Sequence, residues 1–558
     1  LKTTAPTVES VFQEYKKGLD FNTQIGLNET VENNENFYIG KQWEGVTTNG
    51  LPTFQDNFLK PTTQFIVASI ISDNITLQCS PLTKTKGVDQ IANIVNQEFV
   101  SLFEINKLGT LIREYMRNAA VDGDGCMFTW FDPDEETGQL AKGAIKTEII
   151  ENTRVFFGNP NDRRVQRQPY IIIATRELVD DVKQRAEDNG MADTSAITAD
   201  TDDNGSTASS YTSDKCTVLL RLWRDRKTKT IHAIECTQKA EIKPAWDLGI
   251  KLYPITWLPW DYVRDCYHGQ ALITGLIPNQ VFVNKAFAMT ELSLMNSAFP
   301  KTVYDKTRIN KWTNGVGQAV GINGGDVNSV AKNLEPAQIS PQVAQFIELA
   351  ESVTKSNLGA TPAAMGQTRP DNTSAIIALQ RAAAIPSELT KRNLYQTIED
   401  LGRIYIEFMG ENYGERLIEV PTPDEVKQEA LSIGTVAPET MSIQFDFSAL
   451  KAIPMSLNLD VGASAYWSEI ATLQTLDNLL MQNQINVVQY LERLPDYSIT
   501  DRQGLIDELK SQMVQMPVLA PGEAQPGQIV STGQPAPIPE GAGYGAMQRA
   551  INETGVLN

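Results

Sequence analysis

Pro278-Asn279-Gln280-Val281-Phe282-Val283-Asn284-Lys285-Ala286-Phe287-Ala288-Met289-Thr290-Glu291-Leu292-Ser293-Leu294-Met295-Asn296-Ser297-Ala298 places apolar side chains at almost every angle of a helix. Pro278 suits the first helical turn, where its missing N–H has no intrahelical partner to lose. Only Lys285 and Glu291 are charged in 279–298. A helix apolar on most sides is buried on most sides. At about 1.5 Å per residue it spans roughly 30 Å. It is either a core helix of one domain or a strut packed between neighbouring copies.

Downstream, Pro300 ends this helix, and residues 301–339 are rich in Gly and Asn with a β-prone Thr302-Val303-Tyr304. Gly315-Val316-Gly317 lacks the flanking strand, helix and Lys-Ser/Thr pair of a phosphate-binding loop. Lys301, Lys306, Arg308, Lys311 and Lys332 outnumber Asp305, Asp326 and Glu335. This local basic excess is either a solvated face or an electrostatic contact for DNA. Ser340-Pro341 opens a second helix to about Leu358, with Ser as cap and Pro at the first position. Gly359, Pro362, Gly366 and Pro370 forbid continuous helix through 359–373. Helix is expected again over 374–409, kinked or broken at Pro386.

Upstream, 6–27 has helical apolar spacing at Val8, Val11, Phe12, Tyr15 and Leu19. A further helix is expected after Asn57, and one long helix over about 89–120, stopped by Asp122-Gly123-Asp124-Gly125. Strands are expected at 126–131, 143–150, 216–224 and 230–236. The acidic turn 132–138 could suit Ca²⁺, but its spacing is not that of an EF-hand, and a solvated turn is favoured. The polar stretch 190–214 offers little to bury and is expected to be a mobile loop. Thr422-Pro423-Asp424-Glu425 should cap another helix, 441–447 alternates like a strand, and 463–480, 484–494 and 500–516 are expected helices. The Pro- and Gly-rich 517–545 belongs to a tail expected to be disordered.

The 558 residues exceed one simple core, and their formal net charge of -20 argues against a surface that binds nucleic acid everywhere. Five cysteines without CxxC spacing favour reduced thiols made in a cytosol. Two histidines, His232 and His268, leave little room for His-based catalysis and are expected on the surface or on strands. No segment has the length and apolarity of a membrane span. Leu1 in place of Met points to numbering that starts inside a longer product.

Several local patterns occur in an order that resembles the portal (head-to-tail connector) proteins of tailed bacteriophages. Phe37-Tyr38-Ile39-Gly40-Lys41-Gln42-Trp43 is similar to an aromatic-Gly-x-Gln-Trp element near many portal N termini. The helix within 57–74 is similar to the one that follows it. Residues 275–285, with Pro278, Gln280 and Asn284, resemble the entry to a portal stem helix. Gly366 with Thr373-Ser374-Ala375-Ile376 resembles the exit from a tunnel loop into a long helix. The resemblance covers about 37–516.

It implies an α+β, mainly helical ring subunit, usually in twelve copies, with wing, stem, clip and crown. By position the wing would be 1–278, stem helix 1 279–298, the clip 299–340 and stem helix 2 341–358. The tunnel loop would be 359–373, the long helix and wing return 374–462, the crown 463–516 and the tail 517–558. Gln367, Thr368, Arg369, Asp371 and Asn372 would face DNA in the tunnel. Lys301, Lys306, Arg308 and Lys311 would form a basic clip face. Val281, Phe287, Leu292, Phe346 and Leu349 would pack the stem.

The implied partners are other copies of the chain, the major capsid protein, the terminase motor, a head-completion adaptor or tail, and double-stranded DNA without sequence preference. No membrane and no cofactor enter. The implied location is the portal vertex of a virion, after synthesis in the host cytoplasm. Two other classes compete: a non-viral helical scaffold or adaptor, and a DNA-processing enzyme. The enzyme reading lacks a Gly-x-x-x-x-Gly-Lys-Ser/Thr element, because Gly40-Lys41 is followed by Gln42 and has no upstream Gly.

Overall fold

The computed structural model describes residues 6–48, 50–71, 74–82, 88–139, 141–201, 214–298, 302–309, 311–312, 319–333, 342–357, 387–422, 440–453, 455–462, 476, 479–482, 484–494 and 505–506. The chain divides into two compact units, Leu1–Ser468 and Glu469–Asn558.

The first unit opens with α1 (Val8–Gln24), the helix expected over 6–27, and continues into α2 (Leu27–Ile39), which the apolar spacing does not predict. Gly26 stands between them in the left-handed region (φ 66°), which a residue without Cβ adopts at no steric cost. The helix expected over 89–120 does contain a turn. It is two helices, α4 (Val88–Ile105) and α5 (Leu108–Asp122), after α3 (Leu59–Ile70) and β1 (Asn74–Pro81). Lys107 has φ 50° at the break. Asn106 fastens the corner by donating to Leu102 O and Ile145 O (3.0 Å each) and accepting from Thr147 N at 2.9 Å. The apolar spacing runs on through the corner because both helices face one core.

The strands follow their apolar patterning. β2 (Asp124–Asp132), β3 (Ala144–Ile149) and β9 (Ile255–Pro259) form an antiparallel sheet in the order β3-β2-β9. β4 (Val155–Phe157), β5 (Tyr170–Leu178), β6 (Lys215–Arg224), β7 (Ile231–Cys236) and β8 (Glu241–Asp247) form a five-stranded antiparallel sheet in chain order. β5 is apolar without alternation because both faces are covered. Ile171 and Ile173 enter the main core, whereas Ile172 and Ala174 meet Val11 and Tyr15 of α1. Gly18 permits this approach, since a Cβ there would lie 2.5 Å from the Phe156 ring. Arg221, nearly buried in the sheet, grips Glu14 of α1 with two hydrogen bonds of 2.6 and 3.2 Å.

The stretch expected to be a mobile loop, 190–214, is packed over 190–201. Ile197 is buried against α6 (Val179–Asp188) and β6, and Asp200 is ion-paired with Arg176 and accepts from Thr217 N. One buried isoleucine and one partly buried ion pair anchor a segment whose composition alone gave no reason for order. In the acidic turn, Lys146 Nζ lies 2.8 Å from both Asp132 and Glu135, and Lys142 lies 2.7 Å from Glu136. Lysines therefore neutralise the carboxylates that a cation would have needed.

α7 (Ile277–Ala298) is followed by the hairpin strands β10 (Thr302–Tyr304) and β11 (Ala331–Asn333), with the short α8 (Val327–Val330) before the latter, and then by α9 (Gln342–Asn357). α10 (Glu388–Asn412) is the axis of the main core. Leu394, Ile398, Leu401, Ile404, Tyr405 and Phe408 are all buried on it. The Tyr405 hydroxyl lies 2.7 Å from Thr147 Oγ1, itself 3.2 Å from Thr129 Oγ1, so this polar atom that α10 sends inward is satisfied. β12 (Glu415–Pro421) pairs with β13 (Thr440–Asp446), and β14 (Met455–Gly462) pairs with β1, joining segments far apart in sequence. The expected strand 441–447 is β13. The expected kink at Pro386 and the helix capped by Thr422-Pro423-Asp424-Glu425 lie outside the described residues.

In the second unit, α11 (Val487–Arg493) begins with a capping box between Asn486 and Gln489. Val488, Leu491 and Leu494 cluster with Ile506. Most of the helices expected over 463–480 and 500–516, and the tail 517–558, lie outside the described residues. Among those described, no helix is long and apolar enough to cross a membrane.

Candidate functional site

α2 ends at Gly40, whose positive φ of 100° turns the chain out of the helix. The following residues fold back onto it. Gln42 Nε2 donates to Phe37 O (3.2 Å), Asn57 Nδ2 donates to Tyr38 O (3.0 Å), and Trp43 Nε1 donates to Phe54 O (2.8 Å). This buckle receives α7. Asn284 Nδ2 donates to Gln42 Oε1 at 2.5 Å, Gln280 Nε2 donates to Asn284 Oδ1 at 2.9 Å, and Gln280 also donates to Asp56 O. Gln42, Gln280 and Asn284 are all buried. Residues singled out separately in the sequence, over 200 positions apart, thus form one amide chain at the root of α7. Leaving any member unpaired inside the protein costs on the order of 1–3 kcal/mol.

Apolar contacts complete the root. Val283 of α7 and Ile347 of α9 enter a cluster with Phe37, Phe58, Leu59 and Ile273. Phe287 stacks on Phe54 with ring centroids 4.4 Å apart. Asn279 of α7 donates to Thr354 of α9 at 3.0 Å. Of the expected stem residues, Val281, Phe287 and Leu292 are half-buried, and Phe346 and Leu349 are 60% and 56% exposed. The expectation that α7 is buried on most sides fails within one chain. Phe282, Met289, Leu294 and Met295 are all exposed, and Val353 joins Phe346 and Leu349 on α9.

In the segment between the two helices, Ile309 and Val330 are buried and Tyr304 stacks on Trp312 (centroids 5.5 Å apart). Gly325 (φ 95°) lies against the Arg308 guanidinium, where a Cβ would approach Nη1 to 2.8 Å. Lys306 and Lys311 are exposed, whereas Arg308 turns back to Asp305 at 3.5 Å. Lys301 and the tunnel-loop residues Gln367, Thr368, Arg369, Asp371 and Asn372 lie outside the described residues.

One polar centre gave no sequence signal. His268, expected on the surface or a strand, is 3% exposed, with Nδ1 2.8 Å from Asp124 Oδ2. The loop carrying it folds back through the Asp261–Gln270 bridge. Asp124 also accepts from Gly269 N (2.7 Å) and Asn152 Nδ2 (3.3 Å). Burial pushes its carboxyl above the usual range, while these donors pull the other way. Neighbouring Asp122, at the end of α5, is pushed up to about 7 by burial, against the pull of Arg117 and with Glu35, Glu151 and Asp124 adding to the push. This centre locks α5, β2 and the 261–270 loop together behind the helix root.

No curated protein matches the chain. Residues 179–452 match the family model described as phage P22-like portal protein, a span that runs from α6 through α7, α9 and α10 to the 3-10 turn after β13. The rooted helix pair lies inside that span, the fold is α+β as the resemblance implied, and the match over residues 179–452 supports a portal protein of tailed bacteriophages, a head-to-tail connector.

Proposed function

We propose that copies of this chain close into a ring at one vertex of a phage capsid, forming the conduit for packaging and ejecting double-stranded DNA. The observation that carries this reading is the unfinished burial of α7 and α9. Seven large apolar side chains on the pair, Phe282, Met289, Leu294, Met295, Phe346, Leu349 and Val353, are exposed in the single chain. Apolar area gains about 25 cal/mol for each Å² removed from water, so such a surface favours association. Parallel copies around an axis satisfy it with a repeated head-to-tail contact. The family is structural in character, and no bond-making step is assigned to the chain.

In this reading 279–298 and 341–358 are the stem and 299–340 is the clip, whose Lys301, Lys306, Arg308 and Lys311 meet the packaging motor and later the adaptor or tail. Residues 1–278 and 374–462 build the wing beside the capsid protein, and 463–516 build the crown. Residues 359–373 are the tunnel loop, in which Arg369 gives DNA phosphates a weak, sequence-blind contact, eased by Asp371 and by hydrogen bonds from Gln367, Thr368 and Asn372. A chain of net charge -20 lets the polyanion slide. The subunits are made in the host cytoplasm and end in the virion.

Negative-stain imaging and native mass measurement of the purified protein test the ring. A large cyclic oligomer supports it, and a stable monomer or dimer at micromolar concentration refutes it. Arg369→Glu should impair DNA packaging while rings still assemble; unchanged packaging would remove the loop assignment.

A further inference from the structure

Beside the helix root, α2, α3 and α5 leave an open apolar groove of about 460 Å³, floored by Tyr38, Val67, Ala68 and Ile71. Arg113 also lines the groove and Lys60 sits over Tyr38, but at Glu114 and Arg117 the groove runs into a polar recess of about 590 Å³ that gathers Glu32, Glu35, Asp122 and Glu151. The recess has two cations. Arg117 is committed to Glu35 and Asp122, and Arg154 to Glu151. Glu114 is exposed and pairs with no cation among the described residues. Burial raises the Asp122 carboxyl, and Glu35, Glu151 and Asp124 add to the push against the pull of Arg117.

One exposed surface of the same chain has the complementary chemistry. Phe282, Lys285 and Met289 lie within about 60° of one another on the side of α7 away from its buried Gln280, Val283, Asn284 and Ala288. Lys285 is exposed and pairs with no carboxylate among the described residues. The stripe is two apolar side chains flanking one unpaired cation, about 10 Å from end to end. The exposed stripe of α9, Phe346, Leu349 and Val353, has no such cation, since Lys355 is held by Glu351 at 3.2 Å.

We infer that the Phe282–Lys285–Met289 stripe of one copy docks into the α3–α5 groove of the next, with Lys285 meeting Glu114 at the mouth of the acidic recess. This rests on the ring reading and deepens it by naming which surface of α7 engages which surface of its neighbour. Two different surfaces meet, so each copy offers one and receives the other, and the contact propagates until the ring closes. The charge pair fixes register, and the apolar pair supplies most of the burial.

Charge exchange tests the contact. Lys285 and Glu114 are exposed, so Lys285→Glu and Glu114→Lys should keep the circular dichroism and melting profile of the parent subunit. By native mass measurement each single variant should lower the ring fraction at least about tenfold at a concentration where the parent assembles. The double variant should recover most of it. A disulfide between Cys residues placed at Met289 and Ala68 should link neighbouring subunits into a ladder on oxidation. Rings unaffected by either single variant, or a double variant no better than the worse single, would overturn the contact while leaving the ring intact. A parent protein that forms no ring overturns the ring reading itself, and this contact with it.

Discussion

α10 and α7 are both long helices with apolar side chains on several faces, yet they meet different fates. α10 is enclosed by β2, β9, β14 and α3 of its own chain, and even its inward hydroxyl at Tyr405 is satisfied. α7 is fastened at its N-terminal half, by the Gln42–Asn284–Gln280 chain and the Phe54–Phe287 stack, while Leu294 and Met295 stand exposed beyond. One region is finished by folding. The other is left for assembly to finish. Stability and assembly should therefore respond to different substitutions.

The largest effect on the isolated subunit should come from Phe408→Ala. The side chain is 2% exposed in the main core, and its loss should cost roughly 3–5 kcal/mol of unfolding free energy. Chemical denaturation measures it, and a cost below 1 kcal/mol would show that α10 is not the axis of a close-packed core.

The Asp122 centre should give a pH signature. Its carboxyl titrates near 7 in the folded chain and near 3.8 when unfolded, so the folded state holds the proton more tightly. This contribution is fully present below about pH 4 and is lost as pH rises toward 7. Asp122→Asn should remove it, so parent and variant stabilities should diverge by roughly 2 to 4 kcal/mol across that window, the parent falling as pH rises. Parallel stability curves would contradict the burial assigned to this group.

A smaller loss, about 1–3 kcal/mol, is expected for Asn284→Ala, which strands Gln42 and Gln280 inside the root. Replacing Asn284 and Gln42 together by apolar residues of similar size should cost less than the single change. That comparison, by thermal melting, separates desolvation from packing.

The smallest effect on the subunit should come from Leu349→Asp. This residue is 56% exposed, so melting should shift by no more than about 0.5 kcal/mol equivalent. Ring formation, read by native mass, should be lost all the same. A large loss of subunit stability would mean that α9 is already sealed in one chain, which would erase the contrast with α10.

Much of this was legible beforehand. The strands 126–131, 216–224 and 230–236 declared themselves by β-prone runs between turn residues, and α7 by its proline start and apolar circumference. The helix over 6–27 is α1, whereas the one over 89–120 was legible in type but not in number. Lys107 turns the chain without interrupting the apolar spacing, because α4 and α5 face one core. Order over 190–201 was invisible, since Ile197 and Asp200 matter only through α6 and Arg176.

At the candidate site the residue types were readable and their meeting was not. Gln42, Gln280 and Asn284 could be marked singly, but no local spacing tells that an amide at 42 reaches one at 284. His268 with Asp124 was missed for the same reason: two polar residues 144 positions apart carry no periodicity that links them.

The sequence by itself determined the character of the clearly patterned segments, such as α1, α7, β2 and β6, and that α7 could not stand alone in water, because backbone preference and apolar content are properties of short stretches. Only the tertiary structure decided which flank of α7 is sealed and which is left open. Burial depends on neighbours that arrive from distant parts of the chain, and the anchoring amides form only once the fold has brought them together.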